Sequence, residues 1–531
     1  MFPTTALRAL APLIAGAAVA ASAAPAMGEP KPLPAAIERI MDKPRYADAS
    51  WSLLVSDVRS GATHFALRPE RLALTGSTRK LFSVGTALDT LGAGHRELTT
   101  VHRSGRDLVL RAAGDLTFGG RRVDADTVAV TDFDHNDANG LGTAILTPQD
   151  PLFALDALAR QVREAGITEV PGDVVVDDRL FVPYRVPNGN LLVSPMLVNE
   201  NMVDVEARPT APGQPAAVTV RPATAAFAVT GAVATAPAGE NASVELSDRG
   251  LAACIGQRGC AGTVSGSLPV GYRAPLSGRP TFVGTFRVEE PAAFARTAFI
   301  EALGRAGVRV AAAPVGPNPR ALLPRRSAVV GQPRVAVYRS APYAQVARLV
   351  LKVSLNLGAN LSLSLLGLDH GQRTVEGALA AERRALVRRF GIDGRQFDFP
   401  TNGSGTPDSR ATPRAIVDLL RAMTRTRVAE PFAAGLPVMG VDGSLATVGT
   451  DLPARGHVRA KTGTTIAAGA DGETMQLKAQ NLAGYITTRS GRRVAYALMV
   501  NDAGPVSEIE TDVAAVLADE AAISNAIYEA L

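Results

Sequence analysis

Only six of the 55 basic residues in this 531-residue chain are lysine: Lys31, Lys43, Lys80, Lys352, Lys461 and Lys478. Arginine serves everywhere else, so the positions that keep lysine are informative. Two of them stand in short patterns with a chemical reason for lysine, Ser77-Thr78-Arg79-Lys80 and Lys461-Thr462-Gly463-Thr464. Arginine stays protonated in proteins, whereas a lysine buried beside other cations gives up its proton and can act as a base. Positions i and i+3 share one face of a helix, so the Lys80 amine can approach the Ser77 hydroxyl. Ser77 is then a candidate nucleophile that attacks a carbonyl and carries the acyl group as an ester. Arg79, next to Lys80 in sequence, cannot take the base's role.

The elements around these residues have to bring distant parts of the chain together. Residues 51–55, followed by Asp57-Val58-Arg59-Ser60-Gly61, read as a strand and a hairpin turn. Thr75 or Gly76 can cap a helix running from about Ser77 to Leu91, with Gly92 and Gly94 ending it. From about 101 to 331 the texture changes to short alternating segments separated by Gly, Pro and Asn turns, with one helix expected near 153–165. Helical periodicity returns over 341–366 and 376–390, and Thr412-Pro413 reads as an N-cap with proline at the first helical position. Strands are expected at 457–461, 481–488 and 492–501, with a closing helix over roughly 505–529. The helix-bearing ends thus flank a long β-rich insertion. Residues 30–100 and 332–531 are expected to form one discontinuous catalytic domain. Residues 101–205 and 281–331 would form an inserted domain, and 206–280 a second, nested β-rich insertion.

Bulk composition narrows the class. Hydrophobic content of 46% with 20% charged residues describes a globular protein of several domains. Met1 to Ala26 carries one charge, Arg8, then an alanine-rich apolar stretch and small-residue sites at Ala21-Ser22-Ala23 and Ala24-Pro25-Ala26. This is the layout of a cleaved secretory signal over 1–26, which implies a periplasmic or otherwise extracytoplasmic protein. The pair Cys254 and Cys260, in a short loop with two glycines, then reads as a local disulfide. A formal charge of +5 is small for this length, and no basic run interleaved with aromatics appears, so nucleic acid is excluded as a partner. Peripheral membrane association stays open. None of the six histidines shows zinc-ligand spacing, and no metal or cofactor is expected. Asp132-Phe133-Asp134-His135-Asn136-Asp137 has the look of a cation loop but lacks the turn glycine and the later glutamate, and reads as a solvated acidic loop.

A third pattern, Ser354-Leu355-Asn356, lies between the other two. Ser-x-x-Lys and Ser-x-Asn are weak alone and Lys-Thr-Gly ending a strand is moderately specific; the ordered set is specific, and it is the set of penicillin-binding proteins and class A β-lactamases. The chain resembles one group within it, the class C low-molecular-mass penicillin-binding proteins, or D-alanyl-D-alanine carboxypeptidase/endopeptidases. Gly114-Asp115-Leu116-Thr117, Val198-Asn199-Glu200-Asn201, Asn402-Gly403-Ser404-Gly405, Thr412-Pro413-Arg414-Ala415 and the run from Leu436 to Leu445 carry that likeness. So does the gap of 277 positions between Ser77 and Ser354, which fits a family with two domains inserted there. The resemblance implies an α/β (α+β) fold: a serine β-lactamase/DD-peptidase-like domain with an antiparallel sheet and a helical subdomain, interrupted by two mainly β insertions. It implies hydrolysis of the terminal D-Ala-D-Ala bond of peptidoglycan stem peptides, with β-lactam antibiotics as covalent inhibitors.

The chemistry of the set can be argued beside that likeness. Neutral Lys80 takes the Ser77 proton, and a nearby Lys461 favours the neutral form because like charges depress each other's pKa. Ser354 passes a proton to the leaving amine, while Asn356 holds Lys80 and the substrate amide in register. Lys461 and the Thr462 hydroxyl suit a terminal carboxylate, and Gly463 lets the strand approach the ligand closely. The backbone N–H groups of Ser77 and Thr464 would form the oxyanion hole. Ser404 is expected to contact substrate. Two departures from the family's pattern stand out: Asn402 where Asp is usual, and a stretch over 464–480 longer than the usual link, which could overhang the site. The alternatives are a β-lactamase of the same fold and a non-catalytic wall-binding scaffold.

Overall fold

The computed structural model describes residues 31–187, 191–247, 254–469 and 471–531, so the expected secretory signal over 1–26 lies outside the described residues. Strands β1 (Ser50–Asp57) and β2 (Thr63–Leu67) lead through a 3-10 turn, Gly76–Arg79, into helix α1 (Lys80–Leu91). The middle of the chain holds β3 (Leu98–Ser104), β4 (Asp107–Arg111), α2 (Phe153–Glu164), β5 (Val174–Asp177), β6 (Met202–Arg208) and β7 (Ala217–Arg221). It continues with β8 (Phe282–Arg287), α3 (Pro291–Arg305) and β9 (Arg334–Arg339). Helices α4 (Tyr343–Lys352), α5 (Asn356–Asp369), α6 (Val375–Arg388) and α7 (Pro413–Met423) follow. The chain closes with strands β10 (Val458–Ala468), β11 (Met475–Thr487) and β12 (Arg493–Asn501) and helix α8 (Ala514–Ala530).

The two ends of the chain build one five-stranded antiparallel sheet in the order β2-β1-β12-β11-β10. Both of its faces are buried, which is why its strands read as nearly continuous apolar runs. Alternation sends Leu53, Val55, Leu482, Tyr496, Leu498 and Val500 to one face, against Ile523 and Ile527 of α8. It sends Leu54, Ala483, Tyr485, Ala495, Ala497 and Met499 to the other, against α7, in one core with α1, α4 and α5. Small residues on that second face let the helices lie close to the strands. The start of α7 follows the sequence signal: Thr412 accepts a hydrogen bond from Ala415 N at 3.0 Å, with Pro413 at the first position.

Away from this sheet, β9, β3, β4 and β5 form a four-stranded sheet in which β4 and β5 run parallel. The strands that lead into and out of the middle of the chain therefore pair with each other. Helices α2 and α3 share a core with this sheet through Leu155, Leu158, Phe294, Phe299, Leu110 and Val176. Strands β7, β6 and β8 form a separate antiparallel sheet. Further short strand pairs, Ala228–Gly231 with Ala261–Ser265 and Ala234–Ala236 with Ser267–Pro269, surround the Cys254–Cys260 pair, which is disulfide-bonded. The stretch over 464–480 continues β10 and β11 as a paired hairpin, with Thr464 opposite Gln480 and Ala468 opposite Met475.

Candidate active site

The Ser77 turn is seated on the sheet edge by backbone contact. Asn481 Nδ2 on β11 donates to the Leu74 and Thr75 carbonyls at 2.9 and 2.8 Å. Gly76 is left-handed (φ 47°), and a Cβ on it would lie 2.7 Å from Thr464 N. Across the contact, a Cβ on Gly463 would meet the Thr75 carbonyl at 2.4 Å. Glycine at both positions is what lets the turn and β10 touch. The result is a half-exposed Ser77 with Lys80 wholly buried beneath it. Lys80 Nζ lies 2.6 Å from Ser77 Oγ. Beside it, Arg79 is held by Glu382 of α6 through two hydrogen bonds of 2.6 and 2.5 Å, both side chains fully buried, and stacks on Phe399.

Ser354 and Asn356 sit at a break, where periodicity had suggested one helical stretch over 341–366. Helix α4 stops at Lys352, Ser354 takes a left-handed conformation (φ 63°), and α5 starts at Asn356. The break has a geometric reason: positions i and i+2 of a continuous helix point in nearly opposite directions, so one helix cannot aim both at a cleft. Asn356 Oδ1 accepts from Lys80 Nζ at 2.7 Å. Ser354 Oγ accepts from Lys461 Nζ at 2.9 Å. Lys461 Nζ also bonds the Thr462 carbonyl at 2.9 Å and its hydroxyl at 3.3 Å, while Thr462 Oγ1 meets Ser444 Oγ at 3.0 Å. The three motifs therefore converge, with the two lysines buried and Ser77, Ser354, Asn356 and Thr464 facing the cleft as half-buried groups.

Burial dominates the electrostatics. It pushes Lys80 down to about 7, opposed by the Asp137 carboxylate and assisted by Arg79. Lys461 is also held well below the lysine range, first by burial and then by Lys80. The like-charge effect expected at Lys80 is thus felt at Lys461, and desolvation is the larger cause at both.

Ser404 enters the site through its main chain. Its carbonyl accepts from Lys80 Nζ at 3.2 Å, whereas its buried hydroxyl is tied to Asn402 Oδ1 at 3.0 Å and Asn360 Nδ2 at 3.1 Å. Asn402 serves the turn without needing a charge: its Oδ1 accepts from Ser404 N and Gly405 N, both at 2.8 Å, and its Nδ2 donates to the Thr406 carbonyl. Asn360 Oδ1 adds a bond from Gly403 N at 2.8 Å.

The acidic run at 132–137 is not the solvated loop its composition suggests. Asp134, His135 and Asn136 are buried. Asp134 pairs with Arg121 at 2.7 Å, Glu200 pairs with the same guanidinium, and His135 Nδ1 meets Asp204 at 2.8 Å. Burial disfavours charge on His135, but Asp204 and Glu200 outweigh it and push the imidazole up to about 10. Asp134, His135 and Glu200 bring ligand atoms within 4.8 Å of one another, the spacing a metal ion would need. Arg121 and His135 already supply the cations there. The partners are 60 or more positions apart from one another in several cases, so the loop's own composition could not reveal them.

Three features were not evident from the motifs: the Arg79–Glu382 pair, the approach of the 132–137 loop, and Lys352. Lys352 Nζ donates to both Asp442 oxygens at 2.6 and 2.7 Å and to the Leu436 carbonyl at 2.6 Å. Its membership of the six lysines was a signal that could have found it.

A seryl hydroxyl on a buried lysine, beside a five-stranded antiparallel sheet backed by helices, is the arrangement shared by penicillin-binding proteins and serine β-lactamases. The chain belongs to the D-Ala-D-Ala carboxypeptidase 3 (S13) family, whose model matches residues 33–520. It is 27% identical over 452 residues to a D-alanyl-D-alanine carboxypeptidase of Actinomadura sp. strain R39, covering 81% of this chain and 75% of that one. It is 31% identical over 247 residues to carboxypeptidase DacB of Mycolicibacterium smegmatis, covering 45% of this chain and 48% of that one. Among solved structures it resembles penicillin binding protein 4 (dacB) of Haemophilus influenzae, with a TM-score of 0.65 at 17% identity over 93% of this chain and 99% of that one. The same protein complexed with a β-lactam matches with a TM-score of 0.63.

Proposed function

We propose that the protein is exported and removes the terminal D-alanine of peptidoglycan stem peptides through an acyl-enzyme at Ser77, with cleavage of D-Ala-linked cross-bridges by the same route. The observation that carries this reading is the 2.6 Å contact between Lys80 Nζ and Ser77 Oγ, with Asn356 Oδ1 2.7 Å from the same nitrogen. A lysine held near neutrality by burial can take the Ser77 proton as Oγ attacks the penultimate D-Ala carbonyl. The N–H groups of Ser77 and Thr464 receive the oxyanion. The C–N bond then breaks, and the leaving amine of the terminal D-Ala takes a proton delivered through Ser354. Lys461 and Thr462 hold the carboxylate of that residue. Water attacks the Ser77 ester, frees the shortened stem and returns the proton to Ser77. The catalytic unit is assigned to residues 30–100 and 332–531, which share the β1–β12 pairing.

Incubation with a fluorescent penicillin, followed by mapping of the adduct, tests the reading. β-Lactams carry a strained amide in place of the D-Ala-D-Ala bond, so a single adduct at Ser77 is expected. No adduct, or one at another residue, overturns it.

A further inference from the structure

Three oxygens surround Lys80 Nζ: Ser77 Oγ at 2.6 Å, Asn356 Oδ1 at 2.7 Å and the Ser404 carbonyl at 3.2 Å. They are not equivalent. An amide oxygen and a peptide carbonyl can only accept, whereas a serine hydroxyl can donate as well. As an ammonium, Lys80 has three N–H groups and one acceptor for each. As an amine it has two N–H groups and one lone pair. Asn356 and Ser404 then take both hydrogens, and the lone pair is left for the one neighbour with a proton to give, Ser77. The Ser404 carbonyl completes this assignment. Without it, one N–H has only Ser77 to point to, and the amine can present a hydrogen where its lone pair is needed.

The Asn402–Gly405 turn that carries this carbonyl is fixed from several sides by side chains the reaction does not consume. Within the turn, Asn402 Oδ1 accepts from Ser404 N and Gly405 N, both at 2.8 Å. From α5, Asn360 Oδ1 accepts from Gly403 N at 2.8 Å, while its Nδ2 donates to Ser404 Oγ at 3.1 Å and to the Asn356 carbonyl at 2.9 Å. Asn360 thus ties the turn to the residue that supplies the lysine's other fixed acceptor. From α1, Ser83 Oγ donates to the Gly403 carbonyl at 2.7 Å. Gly405 lies so close to the Ser77 turn that a Cβ on it would overlap the Gly76 carbonyl. Ser83, Asn360 and Asn402 are wholly buried, so none of them is open to a ligand in the cleft. We propose that Asn360 and Asn402 are positioning residues for acylation: they fix the Ser404 carbonyl on Lys80 Nζ and so aim the lysine lone pair at the Ser77 hydroxyl. This rests on the Ser77 acyl-enzyme reading above. In the step itself the Ser77 proton passes to Nζ as an Oγ electron pair bonds the substrate carbonyl carbon, whose π pair moves onto the carbonyl oxygen. The N–H bonds to Asn356 and Ser404 persist from amine to ammonium, so around the lysine only the shared proton has to move.

Saturation kinetics of penicillin acylation test this, because they separate the acylation rate constant from the dissociation constant of the non-covalent complex, while the burst amplitude counts intact sites. The variants are Asn402→Ala and Asn360→Ala. Asn402→Asp, which keeps the oxygen that accepts from Ser404 N and Gly405 N, is the conservative control, and thermal melting is the folding control. Ser83→Ala deletes one hydroxyl and leaves both asparagines in place, so it serves if the asparagine variants do not fold. Both Asn→Ala variants should lower the acylation rate constant by about 10- to 100-fold and leave the dissociation constant at its wild-type value. Asn402→Asp should recover most of the rate constant, and Ser83→Ala should lower it by less. A merely structural role would reduce the burst amplitude or weaken the complex and leave the rate constant of the remaining sites unchanged. That result overturns the proposal, as does a wild-type rate constant in every folded variant. A wild-type protein that forms no Ser77 adduct fails earlier and differently, removing the acyl-enzyme reading and this proposal with it.

Discussion

Lys352 and Asp442 form a two-point ion pair, at 2.6 and 2.7 Å, that joins the last turn of α4 to the segment preceding β10. The pair stands two residues before Ser354 on one side and two before Ser444 on the other. It therefore ties the second motif to the third through the backbone. The Lys352 side chain is 4% exposed and Asp442 39%, so the lysine depends on its partner for charge compensation. Asp442→Ala leaves that ammonium inside with only the Leu436 carbonyl. A loss of about 1–3 kcal/mol is expected, read by thermal or urea unfolding. Penicillin acylation should fall further than the stability loss explains, because Ser354 loses its anchor.

The two active-site lysines should separate under the same substitution. Lys80→Arg keeps a cation and most of the stem but cannot accept a proton, so second-order acylation should fall by roughly 10³-fold or more. Lys461→Arg retains a cation for a carboxylate and should lower acylation without abolishing it. Equal acylation by the two variants would remove Lys80 from the role of base.

Ser354 offers a way to divide conformation from chemistry. Its φ of 63° is in the left-handed region, which costs a non-glycine residue about 1 kcal/mol. Ser354→Ala and Ser354→Gly both delete the hydroxyl that accepts from Lys461, and both should acylate slowly. Only the glycine variant relieves the backbone, so it should melt at or above the alanine variant. If Ser354→Gly acylated like wild type, the hydroxyl would carry no proton.

Lys80 should also leave a mark on stability. Its folded pKa, about 7, lies below the ordinary lysine value of about 10.4, so folding expels a proton. Keeping the buried ammonium is a destabilisation that is complete below about pH 7 and fades as pH rises toward the ordinary value, where the unfolded chain is neutral as well. Lys80→Met removes it. The methionine variant should melt above wild type at pH 6, with the gap closing toward pH 10, while acylation is lost.

The motifs were legible because acyl transfer demands particular side chains at short spacing: Ser77 with Lys80, Ser354 with Asn356, Lys461 with Thr462. The Thr412-Pro413 helix start was legible for a similar reason, being a local hydrogen bond written in local sequence. What stayed hidden was non-local. Glu382 and Arg79 lie on different helices, and Asp134, Arg121, Glu200 and His135 meet only after three separate segments pack together. The break at Ser354 was obscured because apolar residues continue on both sides of it, and periodicity does not register a single residue turned left-handed. The hairpin pairing over 464–480 was not legible because Gly469, Asp471 and Gly472 have turn composition while the strands on either side gain their order from pairing.

The pairing of β1 with β12 also sets an order of events during synthesis. Ser77 and Lys80 leave the ribosome early, but the strand that carries Lys461, and the strands that hold it in place, come near the end. A nascent chain holds Ser77 without the sheet edge, without Asn481 to seat the turn, and without the burial that pushes the Lys80 amine down. Contacts this distant in sequence form slowly and as one of the last steps of folding. Truncation before β10 should therefore yield a protein that keeps Ser77 but lacks the strand against which its turn is seated.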